Sequence, residues 1–102
     1  MSLDVFSALS HPERRRMLEQ LSAGGLPVRD LAAAFEMSRP AVSQHLRLLR
    51  EAGLVREERV GRERIYSLEP AGFQEVHDWL LHFQHFWEEG LQRLGAHLEE
   101  QP

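Results

Sequence analysis

Between Arg39 and Arg50 the chain offers three side chains whose hydrogen-bonding edges fit nucleic-acid bases, and then two whose charge fits phosphate. Arg39 can grip guanine O6 and N7 with its planar fork, and Gln44 can do the same to adenine N6 and N7. Ser43 is short enough to let a backbone approach closely, and Pro40 adds an apolar surface that can meet a thymine methyl. Arg47 and Arg50 lie further along, where a cation positions phosphate rather than reads a base. A second basic set, Arg59, Arg62 and Arg64, surrounds a single Gly61.

The element that must present the first set is a helix. Ser38 is a good N-cap, and Pro40 falls in the first turn, where its missing N–H costs nothing. At 100° per residue, Val42, Leu46, Leu49 and Gly53 share one arc, while Pro40, Ser43, Gln44 and Arg47 lie on the other side. His45 sits at the edge of the apolar arc. It is counted with the DNA-facing residues by position, although its imidazole is better placed to buttress the helix. Upstream, Val28 to Phe35 makes two turns with Leu31, Ala32 and Phe35 inward, and Glu36, Met37 and Ser38 connect the two helices. Two helices joined by so short a turn, the second polar at its N-terminal end, can place a helix in the major groove of DNA. After Gly53, Leu54 to Val60 and Glu63 to Leu68 alternate as two half-buried strands with an Arg-bearing tip. A polar helix face is often merely solvated; here the turn length, the cap and the basic hairpin all point to one use.

The flanks read as helices too. Leu3 to Leu9 forms a short amphipathic helix. Ser10-His11-Pro12-Glu13 has the pattern of a capping box, opening a helix that buries Met17, Leu18 and Leu21 and stops at Gly24-Gly25. From Pro70 to about Glu100 the pattern stays helical for about 30 residues, or roughly 45 Å. Phe73, Val76, Leu80, Phe83, Trp87, Leu91, Leu94 and Leu98 recur at spacings of three and four, a stripe that one small core cannot cover end to end. A second copy of the chain is the obvious cover, with Leu3 and Phe6 of the first helix joining the interface. Trp79 and Phe86 lie off the stripe and are free to pack on the globular body, and the aromatic cluster can also line an apolar pocket, though dimer core is the simpler use.

Composition restricts the classes. At 102 residues the chain suits one domain with a single modest core. The formal net charge of −4 argues against a polyanionic partner, but the average hides a split. Residues 1–68 carry 11 Arg against 9 acidic residues, whereas residues 69–102 carry Arg93 alone against 7 acids. Residues 39–64 hold 7 Arg against 4 Glu, so the chain is locally basic where a duplex would lie. The twelve Lys and Arg positions are all Arg, a pattern that coding bias explains better than function, although Arg pairs planar acceptors better than Lys can. With no Cys there is no disulfide framework or thiolate site. No signal peptide or membrane span is expected, and a cytoplasmic location is the default. The lack of a nucleophile motif or phosphate-cradling loop argues against an enzyme.

SRPAVSQHLRLLREAGLV, preceded by ALSHPERRRMLEQL and followed by a hairpin ending RIYSL, resembles the winged-helix repressors of the ArsR/SmtB family over nearly the whole chain. The resemblance implies a bacterial transcriptional repressor: mainly α with a small β-hairpin, a homodimer on an inverted-repeat operator. It implies one domain over 1–102, with dimerisation helices at 1–9 and 70–100, the helix-turn-helix at 28–53 and the wing at 54–68. The family's metal positions are less well matched. Its thiolate pattern Leu-Cys-Val-Cys-Asp-Leu stands here as Leu26-Pro27-Val28-Arg29-Asp30-Leu31, without either sulfur. Its last-helix site keeps His97 and Glu100 but has Gln84 and Phe86 in the other half, too few ligands for a closed zinc shell. Spacing alone also aligns Asp78, His82, His85 and Glu89, a set that reads more simply as a solvated face. No metal or cofactor is therefore expected, and any effector is unknown. The competing readings are a metal-responsive sensor of the same family and a winged-helix interaction module that holds a protein partner on its apolar last helix.

Overall fold

The core forms where three helical stripes and the base of a hairpin meet. In the computed structural model, which describes the backbone of residues 4–100 and the side chains of residues 4–95, the elements run in this order: α1 (Val5–Leu9), α2 (Pro12–Leu21), β1 (Leu26–Pro27), α3 (Val28–Phe35), α4 (Arg39–Glu51), β2 (Val55–Val60), β3 (Glu63–Leu68), a 3-10 turn (Pro70–Phe73), α5 (Gln74–Leu81) and α6 (Gln84–Glu100). Leu3 and the side chains of His97, Leu98 and Glu100, named above as interface or ligand candidates, lie outside the described residues. Met17, Leu31, Val42, Leu46, Leu49 and Leu54 are fully buried. At about 1.5–3 kcal/mol for each large apolar side chain removed from water, these residues fix α2, α3 and α4 against one another. The expected inward faces of α3 and α4 are the observed ones.

The junction of α1 and α2 differs from the capping box expected there. Ser10 closes α1 instead, its Oγ donating to the Ser7 carbonyl at 2.6 Å. His11 takes the N-cap position of α2 without a side-chain cap. Arg14 and Arg15 reach back from α2 and donate to the Ala8 and Leu9 carbonyls at 2.8 and 2.7 Å. Those guanidiniums satisfy carbonyls that a five-residue helix would otherwise leave open.

The hairpin gains a third strand. β1 pairs antiparallel with β3, giving the order β1-β3-β2, with Leu26 opposite Tyr66. Gly25 permits this approach, since a Cβ there would lie 2.7 Å from Ser67 Oγ. Leu54, expected to begin β2, precedes it; its N–H donates to the Leu49 carbonyl and its own carbonyl accepts from Glu69, tying the end of α4 to the exit of the wing.

The single long helix expected from Pro70 is broken. The N–H groups of His82 and Phe83 turn back to the Trp79 and Leu80 carbonyls, three residues earlier. His82 Nδ1 lies 2.9 Å from the Asp78 carbonyl, the acceptor that a continuous helix would give to the His82 N–H. A side chain occupying that carbonyl ends α5, and α6 starts afresh at Gln84. Phe6, Phe73 and Val76 are partly buried against this chain's own core, so the beginning of the apolar stripe already has a cover. Beyond it, Leu80, Phe83, Trp87, Leu91 and Leu94 stay exposed.

Candidate nucleic-acid interface

α4 is held by its buried face and free on the other. Ser38 caps it, its Oγ accepting from the Ala41 N–H at 3.2 Å. The connection from α3 is the expected three residues, with Glu36 in the left-handed region at φ 53° and the Met37 N–H bonded to the Ala32 carbonyl. Arg39, Pro40, Ser43 and Gln44, assigned to bases from the sequence, and Arg47, assigned to phosphate, all stand exposed. Arg47 has only a loose contact with Glu51, at 3.9 Å.

His45 departs from this set. Its ring is turned back onto α2, where Nε2 lies 3.3 Å from Glu13 Oε2 and the imidazole packs at a tilt of 56° against His11, with centroids 4.9 Å apart. Its side chain keeps only 14% exposure. Burial, reinforced by His11, holds its pKa below the ordinary value despite Glu13. His45 buttresses α4 from behind and does not face outward with Gln44.

The wing is a basic ladder around a tight turn. Val60 and Glu63 close the hairpin, and Gly61 supplies the positive φ, 63°, that a two-residue connection needs. Arg59 and Arg64 are directly opposite across the strands. Like charges in that register oppose pairing, a cost that an anion lying on the ladder relieves. Behind them Glu57 gathers three partners: Arg50 at 2.5 Å, Arg64 at 3.4 Å and the Tyr66 hydroxyl, which donates to it at 3.0 Å. Burial first, and then this hydrogen bond and charge, raise the Tyr66 pKa. Arg50 thus spans from α4 to the wing rather than lying free, an arrangement that sequence spacing did not reveal.

A cleft of about 280 Å³ joins the helix and the wing. Arg39 enters it from the start of α4, Arg62 and Arg64 from the hairpin, and Arg29 from the first turn of α3. Glu63 is the one carboxylate lining it and pairs with Arg29. Arg29 is engaged by Glu63 and Asp30 and Arg64 by Glu57, and the remaining positive charge of Arg39 and Arg62 makes the cleft attractive to phosphate. In the sequence Arg29 stands only where the family's thiolate pattern has a cysteine; the adjacency to Glu63 that gives it a place here is tertiary.

The other surface is apolar. Leu80, Leu81, Trp87 and Leu91 line an open groove of about 500 Å³ along α5 and α6, flanked by His77, Gln84 and Glu88. Trp79 packs edge-on against Phe6 and Phe83, whereas Phe86, free to pack on the body by sequence, contacts Trp87 and remains 68% exposed. The candidate ligand stripe is not assembled: Gln74 holds Asp78, His82 bonds the Asp78 backbone carbonyl, and His85 pairs with Glu89 at 3.2 Å. Among the described residues, no helix is long and apolar enough to cross a membrane.

Residues 11–57 match the family model described as bacterial regulatory protein, arsR family. The chain is 36% identical over 80 residues to the transcriptional repressor SdpR of Bacillus subtilis (strain 168), covering 78% of this chain and 89% of that protein. Other curated relatives are longer, and the match spans about half to two thirds of their length. The fold superposes on the crystal structure of a possible transcriptional regulator for arsenical resistance with a TM-score of 0.72 and 44% identity, over 92% of this chain and 95% of the other. It also matches the solution structure of a homodimeric winged helix-turn-helix DNA-binding domain from Mycobacterium bovis, with a TM-score of 0.63 and 27% identity, over 83% and 76% of the two chains.

Proposed function

Given that this chain belongs to the ArsR family of winged helix-turn-helix transcriptional regulators, we propose that it is a repressor that binds an inverted-repeat operator as a homodimer. The observation that carries this reading is the pairing of a free polar helix end with a cleft of four arginines. Arg39, Ser43 and Gln44 are exposed on α4, and Arg29, Arg39, Arg62 and Arg64 converge beside them. In this reading α4 enters the major groove. Arg39, Ser43 and Gln44 meet base edges, Pro40 meets a thymine methyl, and Arg47 binds phosphate. Arg62 and Arg64 grip the backbone or the adjacent groove, and Arg50 shares phosphate with the wing. The exposed apolar residues of α5 and α6 form the dimer seam, which supports two α4 helices related by a twofold axis.

The division between reading and gripping is testable by fluorescence anisotropy on operator and random duplexes. Gln44→Ala costs about 1–3 kcal/mol on the operator and relaxes preference at one base pair. Arg62→Ala weakens both duplexes alike. Equal losses on both duplexes for both variants contradict the assignment. The exposed groove on α5 and α6 also suits a different protein partner; a chain that sediments as a monomer at micromolar concentration favours that second reading over the homodimer.

A further inference from the structure

The contact behind α4 holds a donor set that the DNA-binding reading does not use. His11, Glu13 and His45 each offer a ligand atom, and the three atoms lie within 4.8 Å of one another. His11 and His45 are 34 positions apart in sequence, so only the docking of α4 on the start of α2 creates the group. It is distinct from the thiolate and last-helix positions considered above.

Two further features suit this set to a cation. For metal–ligand bonds of about 2.0–2.2 Å, neighbouring ligands in a tetrahedral shell are separated by roughly 3.3 Å. His45 Nε2 and Glu13 Oε2 already stand 3.3 Å apart. The other separations are no more than 4.8 Å, and the Glu13 side chain, 45% exposed, has room to adjust. In addition, the Nδ1 atom of His11 is buried with no hydrogen-bond partner among the described residues. A buried unpartnered nitrogen costs free energy unless an ion or an ordered water occupies the space beside it; the Nδ1 of His45, equally unpartnered, lies across its ring from the Nε2 that faces Glu13 and does not serve the same ion.

We propose that His11, Glu13 and His45 bind a borderline divalent cation of the Zn2+ type, with water completing the shell, and that occupancy clamps the recognition helix to α2. Two imidazoles and a carboxylate favour such ions over hard Mg2+ or Ca2+. The site stands on its own geometry, whereas its effect on DNA rests on α4 being the recognition helix.

The test is titration of the full chain with Zn2+ by calorimetry and with Co2+ by visible absorption, under circular-dichroism control of folding. The expected result is one equivalent per chain, with the intense visible bands of low-coordinate Co2+. Glu13→Gln and His11→Gln each weaken binding by at least about tenfold, and His85→Gln leaves it unchanged. Glu13→Gln guards against misfolding, because the change is isosteric and the side chain is about half exposed. Failure to bind either ion overturns the site, as does binding that survives both His11→Gln and Glu13→Gln. A Zn2+ effect on operator affinity that disappears in Glu13→Gln supports the clamp. Intact metal binding without any effect on DNA overturns the clamp and leaves the site standing.

Discussion

If Arg50 and Arg64 bind phosphate as proposed, Glu57 competes for both, and Glu57→Gln measures by how much. The carboxylate is mostly buried at the base of the wing and holds Arg50 and Arg64, which remain 49% and 63% exposed. Each exposed ion pair is worth about 0.2–1 kcal/mol after solvent screening. A phosphate that recruits either arginine must overcome that attraction. Removing the charge therefore tightens binding by about 0.4–2 kcal/mol per DNA-binding surface, roughly 2- to 30-fold in affinity. The gain applies to every sequence, because phosphates carry no base identity. If both guanidiniums then reach phosphates, the slope of log affinity against log salt steepens by about 0.9 for each added contact. The Tyr66 hydroxyl keeps a Gln oxygen as acceptor, so folding stability falls by no more than the lost pairs. Fluorescence anisotropy on a random duplex at several salt concentrations, beside a urea melt, gives both quantities. Unchanged or weaker random-duplex binding at comparable stability refutes the reasoning, since Glu57 would then be positioning the two arginines for DNA.

Two other perturbations probe the scaffold. A Cβ at Gly72 would collide with the Gly53 carbonyl, where the 3-10 turn crosses the end of α4; both contacts are backbone, so Gly72→Ala costs about 1–3 kcal/mol or more in a urea melt, and a loss under about 0.5 kcal/mol contradicts that packing. Tyr66 is the only tyrosine, so alkaline difference absorbance reports one group. Its burial and its bond to Glu57 place the midpoint above the ordinary value of 10.0. The neutral phenol is favoured in the folded state, so its contribution to stability is complete below pH 10 and is lost as pH rises through the higher folded value. In Glu57→Gln the midpoint moves down but stays raised, because burial persists.

Most of the α4 surface was legible because it depends on local rules. The Ser38 cap, the Val42, Leu46 and Leu49 arc and the Gly61 turn are set by residues a few positions apart, and their pattern fixes which side chains face out. What escaped depends on partners distant in sequence. β1 is two residues long and carries no period of its own; it exists because Tyr66 and Ile65 of β3 complete its bonding. Ser10 follows the expected local chemistry but spends its hydroxyl on α1, where an adjoining helix end competed for it. The break after α5 turns on a His82 side-chain bond that the apolar spacing does not register. Arg29 in the cleft and Arg50 on Glu57 were equally hidden, since each acquires its role from an element it meets only in the folded chain; the buttressing role of His45 followed from its place at the edge of the apolar arc, but its partners His11 and Glu13 did not.

The most direct test of the central claim is hydroxyl-radical footprinting of the chain on its own promoter. The account predicts two protected segments on one face of the duplex, with centres about 34–36 Å, one helical turn, apart, both lost on Arg39→Ala. A promoter left uniformly cleaved at low salt by the folded wild-type chain, or protection that survives Arg39→Ala unchanged, contradicts the claim.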